Sequence, residues 1–135
     1  MSANSNLNEL QRAVTAFRDE RDWRQFHTPQ QLAAALAIEA AELQEQFLWL
    51  NEAQIAAKLD DPEGRSAIED ELADVMAYLL CLADVCNCHI GDALKRKLVK
   101  NREKYPANLV RGRADKYSAY RNAKENNTTK KQKQS

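Results

Sequence analysis

An all-α fold is predicted by three features of the 135-residue sequence. The chain contains only three Gly and three Pro, whereas turn-rich β architectures depend on many such residues. Hydrophobic residues make up 44% of it, and Ala, Leu, Glu and Lys, which favour helices, are abundant. Apolar residues also recur at three- and four-residue spacing in successive segments, as in amphipathic helices. We therefore expect a bundle of four to five helices.

The first predicted helix extends from about Asn4 to Arg21. Four apolar residues recur in it at helical spacing, namely Leu7, Leu10, Val14 and Phe17. The segment RDWRQFH follows, with two aromatic residues and a histidine. We interpret this segment as a connector to the second helix.

The second helix has a recognisable start at Thr28. Thr28 is a suitable N-cap, Pro29 suits the first helical position, and Gln31 completes a capping box. The apolar periodicity continues beyond this start. We expect the helix to end at about Leu50.

A short helix and a long helix are predicted next. The short one has the sequence EAQIAAKL, and the long one begins after Asp61, a suitable N-cap, with Pro62 in its first turn. It should end near the sequence CNCHIG. A last helix is expected from about Asp92 to Lys104, because the residue before Pro106 is disfavoured in helical geometry.

The chain is predicted to form one domain over residues 1–120, followed by a tail over residues 121–135. A chain of this length can bury a core without a metal or a disulfide. The terminal sequence NAKENNTTKKQKQS is polar and has no apolar periodicity, so we expect it to be disordered. The longest apolar stretch, VMAYLLCLADVC, is far shorter than the roughly 20 residues of a membrane span, so we expect no membrane association.

Charge and cysteine content exclude some partners and favour one compartment. Lys plus Arg and Asp plus Glu number 20 each, so no net charge attracts the chain to a nucleic acid polymer or a membrane. The cysteines, Cys81, Cys86 and Cys88, are odd in number and no signal peptide precedes them, which predicts reduced thiols in the cytoplasm. The sequence CNCH lacks the second ligand pair of a finger-type zinc site.

Two acidic residues border the apolar stripe of the second helix. On a helical wheel Glu39 falls within the edge of the stripe, Glu42 lies roughly 60° further out, and Glu45 lies on the far side. A charged Glu39 against a helix interface is costly unless a positive group meets it. The stripe itself comprises Leu32, Leu36, Leu43, Phe47 and Leu50.

The long helix repeats this arrangement, with Glu71 and Asp74 beside its own stripe. That stripe comprises Ile68, Leu72, Val75, Leu79, Leu82 and Cys86. If the two stripes pack together, four carboxylates converge and repel one another, which a hard divalent cation relieves. Mg²⁺ fits because it takes oxygen ligands and commonly shares its shell with substrate phosphates. The acids therefore predict an Mg²⁺ site for phosphate chemistry.

Other interpretations of the acids stay open on these residues alone. The simplest is that they pair with Lys or Arg on exposed helix faces. A di-iron bundle is disfavoured because neither His27 nor His89 follows an acid at Glu-x-x-His spacing. The EDELAD run also resembles the aspartate-rich motif of helical prenyl-diphosphate enzymes, but the chain is too short for their large cavity.

A basic segment, KRKLVKNREKYP, offers groups of the opposite charge. Its donors at three- and four-residue spacing are Lys97, Lys100, Asn101 and Lys104. Such donors can hold a polyphosphate whose other oxygens bind a metal. Considered alone, a basic helix face is more often simply solvated.

Three segments in order, IEAAELQEQFLW, EDELADVMAYLL and KLVKNREKYPANLVRG, resemble the MazG-like family. These are all-α nucleoside triphosphate pyrophosphohydrolases with Glu-x-x-Glu followed by Glu-x-x-Asp. With ERDWRQFHTPQQLAAAL upstream, the chain is most similar to the dCTP pyrophosphatase branch. The resemblance covers about Leu7 to Tyr117.

The resemblance implies roles for individual residues. It implies metal binding by Glu39, Glu42, Glu71 and Asp74, phosphate and nucleotide contacts by Lys97, Asn101 and Tyr105, and a base pocket formed by Trp23, His27 and Trp49. On a wheel extended to Leu50, Trp49 lies near the side of Glu42. Val14 stands where the animal dCTP enzymes carry a histidine, and Ile38 replaces the first Glu of a common motif version.

The sequence thus predicts an Mg²⁺-dependent hydrolase that cleaves a deoxynucleoside triphosphate to the monophosphate and pyrophosphate. The substrate would be dCTP or a related pyrimidine nucleotide, as in sanitation of the nucleotide pool. Glu42 or Glu71 would accept the proton of the attacking water, and Lys97 would offset charge on the transferring group. The preferred base and the number of metal ions stay open.

The apolar helix VMAYLLCLADVC carries apolar residues on nearly every side, which one partner helix cannot cover. We therefore predict a homo-oligomer, with a dimer as the least demanding solution. The family resemblance implies a tetramer built as a dimer of dimers. The alternative function is a non-catalytic helical interaction module, in which the acids are surface charge and the stripes bind a partner.

Overall fold

The computed structural model describes residues 6–114 and Arg121. All the regular structure within this part is helical, which confirms the predicted all-α class. The short helix α6 was not predicted. The α-helices are α1 (Leu7–Glu20), α2 (Pro29–Glu45), α3 (Glu52–Asp60), α4 (Pro62–Val85), α5 (Ile90–Lys104) and α6 (Ala107–Val110), and a single 3₁₀ turn spans Arg24–Phe26.

The chain divides into two compact units, Met1–Ile90 and Gly91–Ser135. The first unit holds α1 to α4, and the second holds α6 and all of α5 after Ile90. The predicted extent of the domain, 1–120, stays a prediction. The predicted tail, 121–135, lies outside the described residues except for Arg121. No single helix in the described part is long and apolar enough to cross a membrane.

The first helix is fixed at its start by a capping box. The side chain of Asn6 accepts a hydrogen bond from the backbone N–H of Glu9 at 3.0 Å, and Glu9 accepts one from the backbone N–H of Asn6 at 3.2 Å. These bonds satisfy two backbone donors that a helix otherwise leaves unpaired. The helix therefore begins close to the predicted position.

The second helix starts as predicted and ends earlier than predicted. Thr28 accepts a hydrogen bond from the backbone N–H of Gln31 at 3.2 Å, without the reciprocal bond of a full capping box. The predicted end at Leu50 is wrong, because the helix stops at Glu45. Trp49 has φ of 64°, a left-handed conformation that a right-handed helix cannot contain.

The C-terminal end of α2 is held by α3. The ammonium group of Lys58 donates to the backbone oxygen of Gln46 at 2.7 Å and to its side-chain oxygen at 2.9 Å. A cation at this position satisfies a terminal carbonyl and is favoured by the helix dipole. Gly64 lets α4 pass close to α3, because a Cβ atom there would collide with the backbone oxygen of Lys58.

The core of the first unit surrounds α4, which packs against α1, α2 and α3. Its start is capped as predicted, since Asp61 accepts from the backbone N–H of Gly64 at 2.8 Å. One charged side chain, that of Arg18, is buried with the apolar core. The buried apolar residues are Leu32, Ile68, Leu80, Cys81 and Ala83.

One face of α4 stays exposed although it is apolar. Leu72, Met76 and Leu79 are 51%, 38% and 37% exposed. Their spacing of four and three residues places them on one side of the helix. The predicted stripe of α4 is therefore only partly buried within this chain, and we call Leu72, Met76 and Leu79 the exposed apolar face.

Candidate functional site

Three of the four predicted metal ligands lie together between α2 and α4. Glu39 and Glu42 come from α2, and Glu71 comes from α4. One carboxylate oxygen from each lies within 4.8 Å of the others. We call these three residues the acid cluster. Two helices packed by their apolar sides thus bring acids from both into one place, as the wheel analysis predicted.

No basic side chain within the described part of the chain forms an ion pair with the acid cluster. Oε2 of Glu39 and Oε2 of Glu71 are buried and lack a hydrogen-bond partner among the described residues. The pKa of Glu39 is raised mainly by burial. A side-chain hydrogen bond with Glu42 and the negative charge of Glu42 raise it further. Burial, followed by the charges of Glu42 and Asp74, raises the pKa of Glu71. Buried acceptors without donors are rare, and a cation with oxygen ligands would satisfy both.

The interpretation that these acids pair with Lys or Arg finds no support in the described residues. Asp19, Asp84 and Glu20 form ion pairs with arginines there, whereas no member of the acid cluster takes part in one, and neither does Asp74. The convergent carboxylates are therefore suited to a bound cation.

Asp74, the fourth predicted ligand, lies one helical turn beyond Glu71. Its negative charge contributes to the raised pKa of both Glu39 and Glu71, but its carboxylate is outside the group of oxygens within 4.8 Å. It lines a neighbouring cavity instead. Its role as a metal ligand stays a prediction.

A cavity of about 170 Å³ lies in the first unit, and its walls are formed by α1, by α4 and by the two residues that flank the 3₁₀ turn. This volume is smaller than the roughly 300 to 1,000 Å³ of sites for drug-sized ligands, and it suits one part of a ligand, such as a planar ring. We call it the aromatic cavity. Its lining comprises Val14, Phe17, Arg18, Trp23, His27, Asp74, Ala77, Tyr78 and Cys81.

Two of the three predicted base-pocket residues, Trp23 and His27, line this cavity. The rings of Phe17 and Trp23 meet edge to face, with centroids 5.9 Å apart and planes at 74°. Nδ1 of His27 is buried without a hydrogen-bond partner among the described residues. Burial, aided by the positive charge of Arg18, lowers the pKa of His27 and favours its neutral form.

Trp49, the third predicted base-pocket residue, is elsewhere. Because α2 ends at Glu45, the helical wheel does not extend to Trp49, and it no longer supports the prediction that Trp49 lies near the side of Glu42. Its ring is 91% exposed in this chain and lines no part of the aromatic cavity. Its contact with a substrate stays a prediction.

The predicted phosphate-binding residues belong to the second unit, which is described by itself. Lys97 is an exposed residue of α5, and Asn101 is a half-buried one a turn later. Tyr105 directly follows the helix and is 39% exposed. Their contacts with a nucleotide stay predictions.

Several lining residues of the aromatic cavity were not predicted as site residues. Ala77, Tyr78 and Cys81 follow Asp74 by one and two turns of α4, so extending the wheel from Asp74 would have found them. Phe17 could have been found in the same way from Val14 on α1. Arg18 gave no such signal, because an arginine in an amphipathic helix is normally solvated.

Comparisons with known proteins show which family the sequence resembles. Residues 34–119 match the MazG-like family model. The dCTP pyrophosphatase 1 of Rattus norvegicus is 39% identical over 117 residues, which are 87% of this chain and 69% of the relative. The Homo sapiens protein of the same name is 38% identical over the same shares.

A solved structure is similar as well. The crystal structure of a pyrophosphatase from Archaeoglobus fulgidus superposes with a TM-score of 0.67 at 39% identity, and the match covers 78% of this chain and 97% of that one. The matched family segment includes the whole acid cluster and Asp74. The chain therefore belongs to the MazG-like family.

Proposed function

We propose that this chain is an Mg²⁺-dependent nucleoside triphosphate pyrophosphohydrolase, with dCTP or a related pyrimidine nucleotide as its substrate. The acid cluster carries the proposal, because two of its buried oxygens have no hydrogen-bond donor among the described residues. The names of the relatives, dCTP pyrophosphatase 1 and a pyrophosphatase, support the reaction. The products would be the nucleoside monophosphate and pyrophosphate.

Glu39, Glu42 and Glu71 would hold the cation, with Asp74 completing the set from the next turn of α4. When bound, Mg²⁺ polarises the phosphate and offsets charge on the leaving pyrophosphate. Glu42 and Glu71 are the candidates for accepting the proton of the attacking water. Lys97, Asn101 and Tyr105 would bind the phosphates through their donors.

The aromatic cavity would hold the nucleobase. Trp23 offers a ring for stacking, which is worth about 1 to 3 kcal/mol per base. A neutral His27 has one acceptor nitrogen, which matches the amino group of cytosine. The largely apolar lining around these two residues supports a flat, uncharged ring as the occupant.

We also propose that the enzyme is a homo-oligomer. Each residue of the exposed apolar face of α4 is more than a third exposed in this chain, and contiguous apolar side chains at a surface are typical of a partner-binding site. A second copy would cover it through a two-fold contact. Light scattering of the full-length chain tests this claim, and a monomer at micromolar concentration would contradict it.

The three cysteines are all free, which supports a reducing compartment and thus the cytoplasm. There the enzyme would remove a deoxynucleoside triphosphate from the nucleotide pool. Fractionation with an antibody to the native protein tests this location, and accumulation in a secreted fraction would contradict it.

The proposed reaction is tested by measuring pyrophosphate release from each common ribo- and deoxynucleoside triphosphate, with Mg²⁺ and with EDTA. We expect release with Mg²⁺ only, and fastest with a pyrimidine deoxynucleotide. Glu42→Gln should abolish it, whereas Glu45→Gln should not, because Glu45 is exposed on the same helix outside the acid cluster. No release from any substrate, or equal loss in both variants, would contradict the proposal.

A further inference from the structure

One carboxylate oxygen joins three segments of the first unit. Oδ2 of Asp84, near the end of α4, accepts a hydrogen bond from Nη1 of Arg18 at 2.7 Å and another from Nη1 of Arg24 at 3.0 Å. Arg18 belongs to α1, and Arg24 belongs to the 3₁₀ turn. Charge-assisted bonds of this length are strong and directional. Asp84 therefore fixes the turn against both helices.

The turn that Arg24 anchors also carries two lining residues of the aromatic cavity. The backbone N–H of Trp23 donates to the backbone oxygen of Arg18 at 3.1 Å. The backbone N–H of His27 donates to the backbone oxygen of Arg24 at 3.0 Å. Each of the two arginines held by Asp84 is thus bonded through its own backbone to one of the two cavity residues.

Asp84 lies on the cavity side of α4 without lining the cavity. It follows Cys81 by three residues and Ala77 by seven, which places all three on one helix face. Both of those residues line the cavity and Asp84 does not. A shift of the turn relative to Asp84 would therefore change the spacing between Trp23 and the α4 wall.

The two ion pairs of Asp84 differ in what they do for folding. The side chain of Arg18 is 3% exposed and that of Asp84 is 35% exposed, so this pair is partly buried. The side chain of Arg24 is 58% exposed, and exposed pairs add little to stability. Loss of the Arg24 pair should therefore leave the fold largely intact, so that its effect on the position of the turn can be measured separately.

We propose that Asp84, acting through Arg24, is a positioning residue that holds Trp23 and His27 in place for nucleobase binding. The proposal rests on the proposed function, because it takes the aromatic cavity as the nucleobase site. It assigns no contact between Asp84 and the substrate. The expected signature is weaker substrate binding with unchanged chemistry.

The kinetic test uses Arg24→Met. This variant removes the hydrogen bond between the turn and Asp84 and leaves the bond between Arg18 and Asp84 in place. We expect KM for the best nucleoside triphosphate to rise by about fivefold or more while kcat changes by less than about twofold. Arg24→Lys should recover part of the loss. Arg12→Met, which removes an equally charged and exposed side chain from α1, should change neither constant. An unchanged KM in Arg24→Met, or an equal rise in Arg12→Met, would overturn the proposal.

A second readout does not depend on activity. In a Trp49→Phe background Trp23 is the only tryptophan, so acrylamide quenching of its fluorescence reports the mobility of the turn. Arg24→Met and Asp84→Asn should both increase quenching, and Arg12→Met should not. No increase in either variant would overturn the proposal. If the wild type hydrolyses no nucleotide, the proposed function fails by itself, and quenching alone decides whether Asp84 positions the turn.

Discussion

Nη1 of Arg18 lies 2.7 Å from Oδ2 of Asp84, and the arginine side chain is almost completely buried in the core. Nε of the same guanidinium donates to Asp19 at 2.8 Å. The hydrogen bond to Asp19, with a smaller contribution from Asp84, holds the pKa of Arg18 above its usual range. A buried charge of this kind tolerates desolvation only while its partners remain. The pair therefore locks α1 onto α4.

Removing one partner of this pair should destabilise the first unit. We expect Asp84→Ala to lower the free energy of unfolding by about 2 to 4 kcal/mol, because Arg18 would keep its burial and lose a partner. Urea denaturation in the absence of nucleotide measures the change. Glu69→Ala, which removes an exposed acid from the same helix, is the matched control. Equal effects in the two variants would show that Arg18 is not held by Asp84.

Stability should depend on pH through His27. Its pKa is lowered from 6.5 in the folded chain, first by burial and then by Arg18. The unfolded chain then takes up the proton more readily, so this contribution to stability is complete above pH 6.5 and is lost as the pH falls through the folded pKa. His27→Gln should remove that part of the dependence.

The measurement compares urea unfolding at about pH 7.5 and about pH 5.5 in wild type, His27→Gln and His89→Gln. His89 is exposed, so its replacement should leave the dependence as it is in wild type. The prediction fails if His27→Gln and wild type lose the same stability between the two pH values.

Neutralising one acid of the acid cluster should stabilise the metal-free protein and lower its activity. Glu39→Gln and Glu71→Gln each remove one charge from carboxylates whose pKa values are raised by burial and mutual repulsion. We expect the melting temperature of the metal-free protein to rise and the turnover with Mg²⁺ to fall by about 100-fold or more. Added Mg²⁺ should raise the melting temperature of wild type more than that of either variant. Near-normal turnover in both purified variants would refute the cluster as the metal site.

Trp49 offers a test that separates backbone strain from substrate contact. Its φ of 64° is unfavourable for a side chain with a Cβ atom, and its ring is almost fully exposed. Trp49→Ala and Trp49→Gly should both lower kcat/KM for dCTP, by roughly 5- to 150-fold if one base stack is lost. The glycine variant should be more stable than the alanine variant by about 1 kcal/mol. Full activity in both would place the base away from Trp49.

The sequence could predict features that depend only on residues close together in the chain. Thr28 and Asp61 were identified as caps because a cap requires only its own side chain and the next turn. The acid cluster was predicted because a three-residue spacing fixes which side of a helix each acid occupies. Neither inference requires a contact with a residue that is distant in sequence.

Features that depend on distant contacts were missed. Lys58 binds the backbone carbonyl of Gln46 at the end of α2 from twelve residues further along the chain, and the helical pattern gave no sign of this contact. Arg18, which lines the aromatic cavity, pairs with Asp84, which lies 66 residues away in sequence. A charged residue that becomes buried through such a pairing has no signature in local periodicity.

The proposed reaction is hydrolysis of a nucleoside triphosphate between its α- and β-phosphates at the acid cluster. Phosphorus NMR of purified protein with dCTP and Mg²⁺ tests it most directly, because each phosphorus atom is followed separately. We expect dCMP and pyrophosphate to appear in equal amounts in wild type and to be absent with Glu71→Gln. Orthophosphate with dCDP, or unchanged dCTP after prolonged incubation of the folded wild type, would contradict it.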